Sequence, residues 1–162
     1  MKDKKKWMMT ATAAVGAVIG RICYECRHFT TEYYDVASDK IPEAFEGFRF
    51  VVLSDLHNYD FDQGNRKLLR AIERLKPDAV MIAGDMIDAH PGADMSAAVR
   101  MVRDLCDRWP VYFGNGNHEQ RIALYPETYG DMDVRWCKAI RHPNLHLLRN
   151  QHTVIRKDGA YI

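Results

Sequence analysis

From residue 48 onward, short apolar runs alternate with segments whose apolar positions recur at helical spacing. Phe48 to Leu53 (FRFVVL) reads as a strand, and its apolar run fits burial on both faces of a parallel sheet. Asn65 to Lys76 reads as an amphipathic helix. Leu68, Leu69, Ile72 and Leu75 make one face, Arg66, Lys67, Arg70 and Arg74 stay in water, and Pro77 marks the end. Asp78 to Ala83 (DAVMIA) is the next strand. Asp94 caps a second helix that turns Ala98, Val102, Leu105 and Trp109 inward and closes at Pro110. Val111 to Phe113 makes a third strand, and a further helix covers Glu127 to Arg141, weakened by Gly130. Leu145 to Leu148 and Thr153 to Arg156 are short strands, and Asp158-Gly159 turns the chain into a returning strand at Ala160. Residues 23–47 read as an edge strand, Phe29 to Val36, and a linker. The class is α/β, with the domain proper over residues 48–162.

The last strand stops after Tyr161-Ile162, which leaves its partner an unpaired edge. Strands buried on both faces also need a covering layer that no segment here supplies. The sequence therefore reads as the N-terminal part of a longer domain.

The first residues follow a different pattern. Lys2, Lys4, Lys5 and Lys6 precede an uncharged, mostly apolar run from Trp7 to Gly20, which Arg21 ends. The run is shorter than the ~20 apolar residues of a spanning helix. Residues 1–22 fit a signal anchor or a signal peptide, and the want of a small-x-small cleavage site favours the anchor. The lysines would stay in the cytoplasm and place the remainder outside, membrane-anchored or, after cleavage, secreted. A basic arm on a cytosolic protein is the other reading. A net charge of +1, with Lys and Arg scattered, makes nucleic acid an unlikely partner. Cys23 and Cys26 have C-x-x-C spacing but not at a helix start after a strand, and Cys106 and Cys137 fall within helices, so no disulfide framework is indicated.

Candidate chemistry gathers where strands end. Asp55-Leu56-His57, Gly84-Asp85-Met86-Ile87-Asp88 and Gly116-Asn117-His118-Glu119 each follow an apolar run. Consecutive motifs stand about thirty residues apart, roughly one βαβ unit. In an open parallel sheet, ligands bind beyond the carboxyl ends of the strands. Asp55 and His57, two residues apart, can point to one side of an extended segment. Gly84 allows close backbone approach at Asp85, and Gly114 and Gly116 permit a tight turn before Asn117 and His118. Oxygen and imidazole donors without thiolate suit manganese, iron or zinc. Two such ions bridged by a carboxylate serve in-line hydrolysis of a phosphate ester.

With these motifs the chain resembles the calcineurin-like metallophosphoesterase superfamily, whose signature is D-x-H, G-D-x-x-D and G-N-H-[DE] after successive strands. The surrounding chain, from TTEYYDV through IPEAFEGFRFVVLSDLHN to HLLRNQHTVI, is similar to its small membrane-anchored or exported bacterial branch. The resemblance implies the N-terminal part of a four-layer αββα sandwich preceded by a hydrophobic anchor. It implies that Asp55 and His57 bind the first of two divalent ions, Asp85 bridges both, and Asn117 binds the second. His118 would act as general acid, with Asp88 holding its ring, and a metal-bound hydroxide would attack phosphorus in line.

The family completes its site with a further His and a later Gly-His-x-His motif, which does not occur in this sequence. His90 can approach the cleft, whereas His142, His146 and His152 lie where the family has a hairpin. Ala89 and His90 stand where the protein phosphatase branch has Arg-Gly, which disfavours a protein substrate. The expected substrate is a small-molecule or lipid-linked phosphodiester or pyrophosphate. The alternatives are a catalytically dead, membrane-anchored half-domain and a homodimer completed across the exposed sheet.

Overall fold

The computed structural model describes residues 12, 15–22, 24–25 and 27–162. By contacts the chain divides into two units, Met1–Asp35 and Val36–Ile162. In the first, residues 15–22 are helical and exposed. Among the described residues no helix is long and apolar enough to cross a membrane. Most of the expected anchor, with Cys23 and Cys26, lies outside the described residues. The edge strand expected over Phe29–Val36 does not form: these residues carry no regular structure, and Tyr33, Tyr34 and Val36 are exposed. β-Propensity reflects packing against neighbours, and among the described residues this segment pairs with no strand.

The second unit is built on a four-stranded parallel sheet of β1 (Phe50–Leu53), β2 (Ala79–Ile82), β3 (Val111–Gly114) and β4 (Leu145–Leu148), in that spatial order. Between them run α1 (Arg66–Leu75), α2 (Ser96–Cys106), α3 (Asn117–Leu124), α4 (Pro126–Tyr129) and α5 (Met132–Ile140). Lys76, just before Pro77, ends α1 in the left-handed region (φ 49°). The Asp94 carboxylate accepts the Ser96 amide at 2.9 Å and so opens α2. The single helix expected over Glu127–Arg141 is two, because Gly130 (φ 60°, ψ −128°) breaks the backbone between α4 and α5. Helix α3 was not expected, since its first turn is the Gly-Asn-His-Glu motif itself.

Strands placed in sequence order and joined by right-handed crossovers carry their helices on one face. On that face Val51, Val80, Ile82, Val111 and Phe113 pack with Leu69, Ile72, Met101, Val102, Leu105, Ile122, Trp136 and Ile140 as the buried core. The register aligns Val52, Met81, Tyr112 and His146 in a row across the opposite face. On this face, where the sequence lacks a covering layer, Val52 is 62% exposed. A hairpin of β5 (Arg156–Lys157) and β6 (Ala160–Tyr161) turns at Asp158-Gly159, both with positive φ, as the sequence predicts. With Phe50, Met81, Tyr112 and Leu148, the Ile155 and Ile162 side chains beside it line an apolar cavity of about 390 Å³.

Candidate metal centre

The carboxyl ends of β1, β2 and β3 release the chain into three turns, and backbone hydrogen bonds join the first two. The amides of Asp55, His57 and Asn58 donate to the carbonyls of Gly84, Asp85 and Met86 at 3.2, 3.0 and 2.9 Å. Asp55, His57 and Asn58 have φ of 57°, 47° and 57°, and Asp85 has 53°. Asp and Asn adopt this left-handed region more readily than most residues, and such strain gathers at functional sites. The segment holding Asp55 and His57 is therefore a tight turn, not the extended one expected. The turn still brings Asp55 Oδ1 to 3.6 Å from His57 Nε2.

The second and third turns meet backbone to backbone. A Cβ on Gly84 or on Gly116 would fall within 3.0 Å of the opposite turn, so both motif glycines are required by this approach. Asp85 Oδ1 accepts the His118 amide at 2.8 Å. As a result one donor atom from each of His57, Asp85 and His118 lies within 4.8 Å of the others. The His57 and His118 rings stand edge to face with centroids 4.6 Å apart. Asn117 opens α3 beside them, exposed.

His118 Nδ1 has two neighbours. The Ala89 amide donates to it at 2.7 Å, which leaves the neutral ring's proton on Nε2. Asp88 Oδ1 lies 3.3 Å from the same nitrogen, placed to hold the ring when protonated. Four other histidines of this unit are engaged elsewhere. His90 is exposed beside Pro91, His142 pairs with Asp107 at 3.2 Å, His146 stacks on Tyr112, and His152 lines the sheet-face cavity.

The loop behind Asp55 and His57 is fixed from within. Buried Asn65 accepts the Phe61 amide and donates to the Tyr59 carbonyl, both at 2.9 Å. Burial alone would raise the Asp60 carboxyl, but the amides of Asn65, Gly64 and Asp62 and the charge of Arg100 hold it below the usual carboxylate value. Burial, reinforced by Asp107, pushes the Cys106 thiol up to about 12, so this cysteine is an inert core residue.

Carboxylate and imidazole donors without thiolate make a hard-to-borderline donor set. In these turns, Asn58 Oδ1 and Asn115 Oδ1 are buried acceptors with no hydrogen-bond partner among the described residues. Both observations fit divalent cations. Sequence reading missed Glu119, which is fully buried and accepts four backbone N–H groups from the second and third turns. Its place three residues into a helix is the signal that could have found it.

Residues 48–159 match the family model described as calcineurin-like phosphoesterase. A transmembrane protein with metallophosphoesterase domain from Danio rerio is 30% identical over 125 residues, covering 75% of this chain and 26% of the relative. Its namesake from Bos taurus is 28% identical over 131 residues, covering 78% and 27%. An uncharacterized metallophosphoesterase of Campylobacter jejuni is 27% identical over 115 residues, covering 70% and 28%. The chain thus spans about a quarter of the length of the curated relatives it matches. No solved structure matches it.

Proposed function

The chain belongs to the calcineurin-like phosphoesterase family, and on that premise we propose that it takes part in metal-dependent hydrolysis of phosphate esters, with a phosphodiester or a pyrophosphate as substrate. The observation that carries this reading is the convergence of His57, Asp85 and His118 at the ends of three adjacent strands. Asp55 and His57 would hold one divalent ion, Asp85 would stand between two, and Asn117 would hold the second; manganese, iron or zinc suits these donors. A bound pair of ions would supply an activated water and a clamp on the phosphoryl oxygen. His118, once protonated and with Nδ1–H turned to Asp88, would give a proton from Nε2 to the leaving oxygen.

The sheet face opposite the helices, where Val52 is exposed, is where the second sheet of a four-layer sandwich would pack. The vertebrate relatives' names mention a transmembrane protein, which supports a membrane association; a lipid-linked substrate would suit an enzyme held there.

The test is manganese-dependent hydrolysis of bis(4-nitrophenyl) phosphate by the chain beside Asp85→Asn, with manganese binding followed by calorimetry. Binding and turnover that both disappear in Asp85→Asn are expected. A folded wild-type chain that binds no manganese refutes the reading. Binding without turnover keeps the metal centre and favours the catalytically silent alternative.

A further inference from the structure

We propose that Glu119 is the positioning residue of this centre, holding the turn of Asp85 against the turn of Asn117 and His118 in the metal-free protein. The inference rests on the metal-centre reading for its functional consequence. Glu119 is completely buried. Its Oε2 accepts the amides of Asp85 and Gly116 at 2.8 and 2.9 Å, and its Oε1 accepts those of Met86 and Ile87 at 2.9 and 3.3 Å.

The Gly116 bond is the usual reach of a third-position glutamate back to its helix cap. A helix cap needs nothing more. The other three bonds go to residues 32–34 positions earlier in the chain and join the ends of two different strands. An ionised carboxylate is the side chain suited to four converging donors, because it has roughly four acceptor sites and no donor of its own. No lysine, arginine or histidine pairs with Glu119 in any ion pair among the described residues. Its hydrogen-bond donors are all backbone amides, and a cation held by neighbouring Asp85 would add positive charge beside it. Both carboxylate oxygens of Glu119 are engaged by these four amides. It acts through Asp85, whose own amide it holds.

The isosteric variant Glu119→Gln is the sharp probe. In either orientation its amide NH2 faces two N–H groups, so one pair of bonds is replaced by opposed donors. Glu119→Asp keeps the charge but is one methylene shorter, so it restores the clasp in part.

Amide hydrogen exchange and metal binding test this on the full chain. In metal-free wild type, the amides of Asp85, Met86, Ile87 and Gly116 should be protected as a set. In Glu119→Gln these four should exchange freely while those of Val80 and Phe113 in the sheet stay protected, which shows that the variant is folded. Manganese affinity by calorimetry should fall at least about tenfold, as for residues that orient metal ligands, with Glu119→Asp in between. The absorption bands of bound cobalt should change with it.

Manganese affinity in folded Glu119→Gln within twofold of wild type would overturn the proposal. So would free exchange of the four amides in metal-free wild type, a measurement that needs no variant to fold. Protected amides in a wild-type chain that binds no manganese would remove the metal-centre reading and, with it, any role of Glu119 toward a metal.

Discussion

Alanine at Gly84 adds one methyl group where two turns of the metal centre touch, and the structure separates its cost into two parts. The first is conformational: Gly84 has φ +86°, a left-handed backbone that costs a non-glycine residue ~1–2 kcal/mol. The second is steric. The new Cβ would lie 2.9 Å from the Asn115 carbonyl carbon, with Gly116 N and Cα closer still. All three are backbone atoms that cannot swing away, and overpacking of that kind costs ~1–3 kcal/mol. Gly84→Ala should therefore lose ~2–5 kcal/mol of stability in total.

Two companion variants isolate the parts. Gly92 has φ +79° and nothing within 4 Å of its would-be Cβ, so Gly92→Ala bears the conformational cost alone. Gly116 has φ −85°, so its alanine bears only the contact, with Asp85 N 2.5 Å from the Cβ and Asp85 Oδ1 nearer. Urea unfolding of the three variants, followed by circular dichroism, gives the stabilities, and calorimetry gives their manganese affinities. Gly84→Ala should approach the sum of the other two, and manganese affinity should drop for Gly84→Ala and Gly116→Ala but not for Gly92→Ala. A Gly84→Ala protein as stable as Gly92→Ala would refute the close approach of the turns.

Two further predictions follow from other regions. Asp60 has a lowered carboxyl pKa, so its contribution should be present above the unfolded value and be lost as pH falls through the folded one. Asp60→Ala should cost about 1–3 kcal/mol at pH 7 from the amides left without an acceptor, with the gap to wild type closing on acidification. Urea curves at pH 7 and pH 2.5 separated by the same gap would contradict this. On the bare sheet face, Val52→Lys should change stability by no more than about 0.5 kcal/mol, as for an exposed site. Its neighbour Val51 faces the helices, and Val51→Lys should unfold the chain. A loss above about 2 kcal/mol for Val52→Lys would mean that this face is covered in solution.

Elements with strong local signals were legible in the sequence. Helix α1 has both its apolar stripe and Pro77, and the hairpin turn has Asp158-Gly159. Phe29–Val36 shows the limit of such signals, because a β-prone composition that pairs with no strand among the described residues stays irregular. At the site, the three motifs and their order along the chain were readable because each sits at a strand end. The clasp of Glu119 was not, since three of its four bonds join residues far apart in sequence.

The sequence by itself determined which residues bring oxygen and imidazole donors to strand ends, and where glycine must stand beside them. Side-chain chemistry and local backbone freedom are properties of short segments, so short segments suffice to declare them. The order of the strands is different, because it depends on which distant segments pair. A sheet that reversed direction midway would carry helices on both faces and cover all its strands. This one runs β1 to β4 in sequence order, so right-handed crossovers place the helices on one face. Val52, Met81 and Tyr112 are left on the other. Only the tertiary structure decided that, and with it the turns that bring His57, Asp85 and His118 together.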